Sequence, residues 1–142
     1  RAAGAPVFHV AHRGREGSGG PFDPKGPGFA FAAGAEPEAH ETIVEKTLPN
    51  AFSGTDLEAL LAATNRKSVL LAGFMTHMCV STTARAALDL SIPAFVVADA
   101  TATRALPDPM GGPDIPARDI HRAALAEIAD RFAAIVTTAD LV

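Results

Sequence analysis

Cys79 is the only thiol in this 142-residue sequence, and it stands where the apolar run SVLLAGF passes through the turn MTHM into CVSTTARAALDL. The first run reads as a strand and the last as a helix beginning at or just before Cys79. A cysteine at a strand-to-helix turn faces the first unpaired N–H groups of the helix, whose partial positive charge favours the thiolate. That placement suits a nucleophile. A lone cysteine is otherwise more often a small buried hydrophobe than a catalyst, so the reading rests on position. Lys46 ends another extended piece, ETIVEK, where a cation would favour the thiolate and hold polar atoms of a substrate. The alternative for Lys46 is a solvent-facing charge beside Glu45. Backbone N–H groups of the cysteine turn, if they point inward, would stabilise an oxyanion, usually the largest single contribution to acyl-transfer catalysis.

A sheet must position these groups. Ligands of an open parallel sheet collect beyond the carboxyl ends of its strands. The residues that follow strand-like runs here are His12 and Arg13, Lys46, Cys79, and Asp99 with Thr101. The run from Ala5 to His12 and the run SVLLAGF read as strands buried on both faces, and AFVVADA as a third. From Arg13 to Glu38, glycine and proline make a loop too long for an ordinary connection. Its Phe22, Phe29 and Phe31 favour a lid or an oligomer contact, with plain packing onto the surface as the alternative. Thr55 and Glu58 have the spacing of a capping box before a helix that runs to about Asn65. A second Pro/Gly-rich loop spans Leu106 to Pro116. Ile120, Ala124, Leu125, Ile128 and Phe132 then mark an amphipathic helix, and AIVTTADLV a closing strand. Strand and helix alternate throughout, which predicts an α/β fold: a doubly wound, three-layer α/β/α parallel sheet within a single domain, residues 1–142.

Composition narrows the function classes. With 48% hydrophobic and 20% charged residues the chain is too apolar for disorder and too interrupted by charge for a membrane protein. A formal charge of −4 without a basic cluster argues against nucleic acid and anionic membranes as partners. A single cysteine fits a reducing compartment, so a cytoplasmic location is expected. GREGSGG follows a strand but precedes no helical pattern, which argues against a nucleotide site. No cofactor is expected. Nor is a metal: His9 reads as packed or hydrogen-bonded within its strand, His12 as a single histidine without neighbouring carboxylates, and His40 and His121 as solvated.

The segment GFMTHMCVSTTARAALDL resembles the nucleophile turn of the isochorismatase-like cysteine hydrolases, the superfamily of nicotinamidases and N-carbamoylsarcosine amidases. IVEKTLPNAFSGTDLEALL is similar to the family's lysine segment, IPAFVVADATAT to its following strand, and HRAALAEIADRFAAIVTTADLV to its closing helix and strand. The resemblance implies that Lys46 and Cys79 are two members of an Asp–Lys–Cys triad. It also implies that a cis peptide between Phe74 and Met75 turns the Met75 and Cys79 amides into an oxyanion hole. Phe52, Phe74, His77 and Met78, with Met75, are the expected lining of a mostly apolar substrate pocket, covered by the loop from Arg13 to Glu38 or by a neighbouring subunit.

The triad aspartate of the family ends a first strand that has no counterpart in these residues. The opening RAAG, read as the last turn of a helix with Gly4 as its C-cap, agrees with an incomplete start. The expectation is therefore an N-terminally incomplete domain, unstable or inactive alone, that takes the missing N-terminal segment as a structural partner. The function expected is a cysteine-dependent hydrolase acting on a small amide or carbamoyl substrate through a thioester. The alternatives are an isochorismatase-type vinyl ether hydrolase and a non-catalytic subunit or binding module. A homo-oligomer is expected.

Overall fold

The computed structural model describes residues 1–141. Parallel pairing joins β1 (Phe8–His12) to β2 (Thr42–Lys46) in one sheet. In a second sheet β4 (Ala94–Ala102) lies between β3 (Val69–Phe74) and β5 (Ala134–Val136), again parallel. Helices α1 (Leu57–Ala63), α2 (Ser81–Asp89) and α3 (Ala117–Arg131) alternate with these strands, as the α/β class requires. By internal contacts the chain forms two compact units, Arg1–Asn65 and Arg66–Val142.

In the first unit the β-branched run of β2 alternates strictly: Val44 and Lys46 turn inward while Ile43 and Glu45 are exposed. Val44 packs with Ala51 and Leu57, and Phe8, Phe52, Leu60 and Leu61 close around them. The start of α1 departs from the expected capping box. Thr55 Oγ donates to the Ala51 carbonyl (2.6 Å) and accepts from the Leu57 N–H (3.3 Å), so the helix begins after Asp56. The preceding turn claims the hydroxyl first. The long loop is fastened rather than loose. Buried Asp23 accepts the N–H groups of Gly17 (3.0 Å), Gly19 (2.8 Å) and Lys25 (3.0 Å), and these donors hold its carboxyl below the usual range. The loop's phenylalanines lie against β1 and the residue after it: Phe31 on His9, Phe22 on His12, and Phe29 under Arg13.

The second unit builds its core from Val80, Ala84, Val96 and Ile128, with Leu71, Leu125, Phe132 and Ile135 packed around them. Small residues let α2 approach the sheet closely, and Ala84 and Ala87 are fully buried. Arg85 fastens α2 to α3, its guanidinium 3.9 Å from the Phe132 ring centroid and 3.1 Å from Glu127. The expectation that β1 and β3 are buried on both faces is corrected. Val10 on β1 is 37% exposed, and on β3 Leu70 is 55% and Phe74 72% exposed, the helices α2 and α3 both packing on the face of β3 that carries Leu71. The closing strand is also shorter than expected: β5 stops at Val136, and Thr138–Leu141 form a 3-10 turn held through Asp99, which accepts the Thr138 N–H. Val142, the last residue of that expected strand, lies outside the described residues.

The β3–β4 register shifts just before the cysteine turn. Leu71 pairs with Val96 and Gly73 with Thr101, two residues along β3 against five along β4, so β4 bulges by three. Gly73 meets the bulge at φ 107°, a conformation L side chains rarely adopt, although a Cβ there would touch nothing. Gly73→Ala is therefore expected to destabilise the protein through backbone strain alone, by about 1–3 kcal/mol. Urea unfolding checks this, and an unchanged midpoint would contradict it.

Candidate active site

The first unit places Lys46 at the carboxyl end of β2 with only 5% of its surface exposed. Its Nζ donates to the Leu48 carbonyl (2.8 Å) and lies 3.1 Å from His12 Nδ1. The alternative of a solvent-facing charge beside Glu45 is thereby overturned, and Glu45 pairs with Arg13 instead (3.0 Å). An ammonium carries donors only, so a hydrogen bond between the two requires Nδ1 of His12 as the acceptor. Burial, and secondarily the Lys46 charge, hold the His12 imidazole below its ordinary pKa. His12 is legible in the sequence only as a residue at a strand end. Its role as a partner for Lys46 depends on the register that sets the two side by side.

The second unit holds Cys79 in a π turn, Thr76–Val80, between β3 and α2. The α-helix begins at Ser81, two residues later than expected. The difference has a local cause. The Met75 carbonyl accepts both the Met78 N–H (3.0 Å) and the Val80 N–H (3.3 Å), which widens the first turn. The Phe74–Met75 peptide is cis, as the resemblance implied. Thr76 is fully buried, its hydroxyl 2.9 Å from His121 Nδ1. His121 lies on α3 and is half-buried, which corrects its reading as a solvated residue. His77 pairs through Nδ1 with the Thr103 hydroxyl, and burial followed by the nearby Arg104 charge pushes its pKa down. Neither contact has a signal in the sequence, since the pairs are 45 and 26 residues apart.

The remaining expected pocket residues divide between the units. Met75, Met78 and Cys79 are half-buried around the turn, whereas Phe74 is open to solvent. Phe52, in the first unit, packs on the Val44–Leu57 cluster. A shallow cleft of about 360 Å³ lies between β2 and α1, lined by Ile43, Val44, Glu45, Gly54, Thr55, Asp56 and Leu60, none of them a candidate residue. Glu38, His40 and Glu41 bring potential ligand atoms within 4.8 Å of one another. Glu41 is already committed: its carboxylate accepts from Arg1 (2.7 Å) and the Glu38 N–H (2.8 Å) and pairs with His9 (2.8 Å). The His9 contact agrees with its reading as a hydrogen-bonded residue.

The match with known proteins decides the family. The isochorismatase domain family model matches residues 1–140. The chain belongs to the isochorismatase family. It is a hydrolase of that family, with the isochorismatase fold. An isochorismatase from Pseudomonas putida superposes with a TM-score of 0.92 at 42% identity, over 99% of this chain and 71% of that one. A secreted isochorismatase effector of Verticillium dahliae is 34% identical across 99% of this chain and 70% of its own length. A streptothricin hydrolase of Streptomyces noursei is 37% identical across 81% of this chain and 40% of its own length.

The depressed histidines give the family member an acid sensitivity. Folded His12 and His77 bind a proton more weakly than they do in the unfolded chain, so the unfolded state takes up more protons as pH falls. Their contribution is fully present above about pH 6.5 and is lost as pH drops through the lowered values. Glu41 and Asp23, held below the carboxylate range by their donors, add a further loss at more acid pH. The melting temperature is expected to fall steadily from pH 7 toward pH 4. A flat profile over that range would contradict this.

Proposed function

We propose that this isochorismatase-family hydrolase cleaves a C–N bond of a small amide or carbamoyl compound through a Cys79 thioester. The observation that carries the proposal is the half-buried thiol in the turn at the carboxyl end of β3. Cys79 Sγ attacks the carbonyl carbon, and the oxyanion that forms is received by the Met75 and Cys79 amides. Collapse breaks the C–N bond and the amine leaves with the proton taken from the thiol. Water then attacks the thioester, releasing the acid and restoring the thiol. The family resemblance implies that Lys46 supports the negative charge and that Phe52, Phe74, His77 and Met78 contact the substrate in this reading. The proton carrier in this reading is an aspartate on a further strand.

One relative supports amide cleavage by its name: a nicotinamidase of Arabidopsis thaliana is 33% identical over 68% of this chain and 42% of its own length. Vinyl ether hydrolysis is the second reading, favoured by the 42% identity to the Pseudomonas putida protein described as an isochorismatase. Incubation with a panel of primary amides, lactams and isochorismate separates the two. Ammonia or amine release together with an acyl adduct on the Cys79 peptide supports the first reading. Turnover of isochorismate alone, with an unmodified thiol, overturns it.

The proposal includes a cytoplasmic setting, a small-molecule partner and a homo-oligomer. A thiol nucleophile suits a reducing compartment, and no described helix is long and apolar enough to cross a membrane. Exposed Met110 offers apolar contact for a second copy. Fractionation and native mass measurement test these points.

A further inference from the structure

The loop after β1 and the lysine that ends β2 meet at one residue. His12 Nδ1 lies 3.1 Å from Lys46 Nζ, and the same imidazole packs on Phe22, ring centroids 4.9 Å apart. Phe22 is itself tied into the loop, its carbonyl accepting the Gly14 N–H at 2.8 Å and its neighbour Asp23 collecting three loop amides. Register places His12 directly opposite Lys46, so the contact follows from strand pairing rather than from a chance side-chain rotamer. A buried lysine has four rotatable bonds, and each acceptor that fixes its ammonium narrows the positions available to the charge. The Leu48 carbonyl supplies one acceptor from the chain just beyond β2. His12 supplies another from a different strand.

We propose that His12 is a positioning residue: it fixes the Lys46 ammonium by accepting a hydrogen bond at Nδ1, and it links that position to the Arg13–Glu38 loop through Phe22. The assignment rests on the proposed catalytic part of Lys46, and the test keeps the two apart. Asparagine at position 12 can present Oδ1 where Nδ1 stands, whereas leucine fills a similar volume and accepts nothing. A role in packing alone predicts that leucine serves at least as well as asparagine. A role as acceptor predicts the reverse.

The complete protein is compared with its His12→Asn, His12→Leu and Lys46→Ala variants. The first readout is acetylation of the Lys46 amine by limiting acetic anhydride, scored by peptide mass against exposed Lys67. The second is the iodoacetamide alkylation rate of Cys79. His12→Leu is expected to raise Lys46 acetylation about tenfold and His12→Asn to leave it near the parent value. The alkylation rate should follow the same order, with Lys46→Ala the slowest. If Lys46→Ala leaves alkylation unchanged, the catalytic reading of Lys46 fails while the acetylation data still judge His12. If asparagine and leucine behave alike in acetylation, the positioning role is overturned. Long-range proton–nitrogen correlation spectra of the unaltered protein test the same contact without requiring any variant to fold. An Nε2–H tautomer for His12 is expected, and an Nδ1–H tautomer overturns the proposal.

Discussion

Cys79→Ala is expected to lower amide turnover by about 10⁴-fold or more, the scale seen when a covalent nucleophile is removed from a set of groups that act as a unit. Without the sulfur no thioester forms, and the oxyanion donors and binding contacts can contribute only the residual catalysis they provide to a water attack. Because Cys79 is the only cysteine, intact-mass analysis of the unaltered protein during turnover should show a single acyl adduct, and the variant none. The thiol is half-buried in a turn with its own backbone hydrogen bonds, so its loss should leave the melting temperature nearly unchanged. Full turnover by Cys79→Ala would end the thioester mechanism. Substantially lowered turnover without any adduct on the parent protein would place the thiol in a non-covalent role.

Ile128→Ala should produce the largest loss of stability among single core changes. Ile128 is fully buried on α3 and completes the cluster of Val80, Ala84 and Val96, which joins both helices of the second unit to β4. Truncation removes buried methyl groups and leaves a void that neighbouring backbone fills only in part, at a cost of about 2–5 kcal/mol. Against a total stability of roughly 5–15 kcal/mol this is a large fraction. Glu127→Ala is the matched control one residue away. Its ion pair with Arg85 is solvent-exposed, and the change should stay within about 0.5 kcal/mol. Chemical unfolding of both variants checks the pair, and equal midpoints would show that the cluster does not carry the second unit. The site should feel the change as well, since α3 also holds His121 against Thr76 in the cysteine turn.

The residue types and local pattern determined a good deal by themselves. Cys79 after an apolar run and before an Ala/Thr-rich helix marks a strand-to-helix turn from its near neighbours alone. The alternation of apolar strands with amphipathic helices indicates the parallel α/β class, because period and propensity are properties of short windows. Lys46 was legible as the end of a strand. That it is buried, and what holds it, was not. The tertiary structure decided that His12, 34 residues earlier, sits beside its ammonium, and that His121 reaches Thr76 across 45 residues. It also decided that Thr55 binds the preceding turn before it caps α1, that the Met75 carbonyl opens a π turn ahead of α2, and that one face of β3 stays exposed. The physical reason is common to all of these. A side chain with several possible hydrogen-bond partners takes the one that strand register and packing bring within about 3 Å, and register is set by many weak contacts summed over the whole unit rather than by any window of sequence.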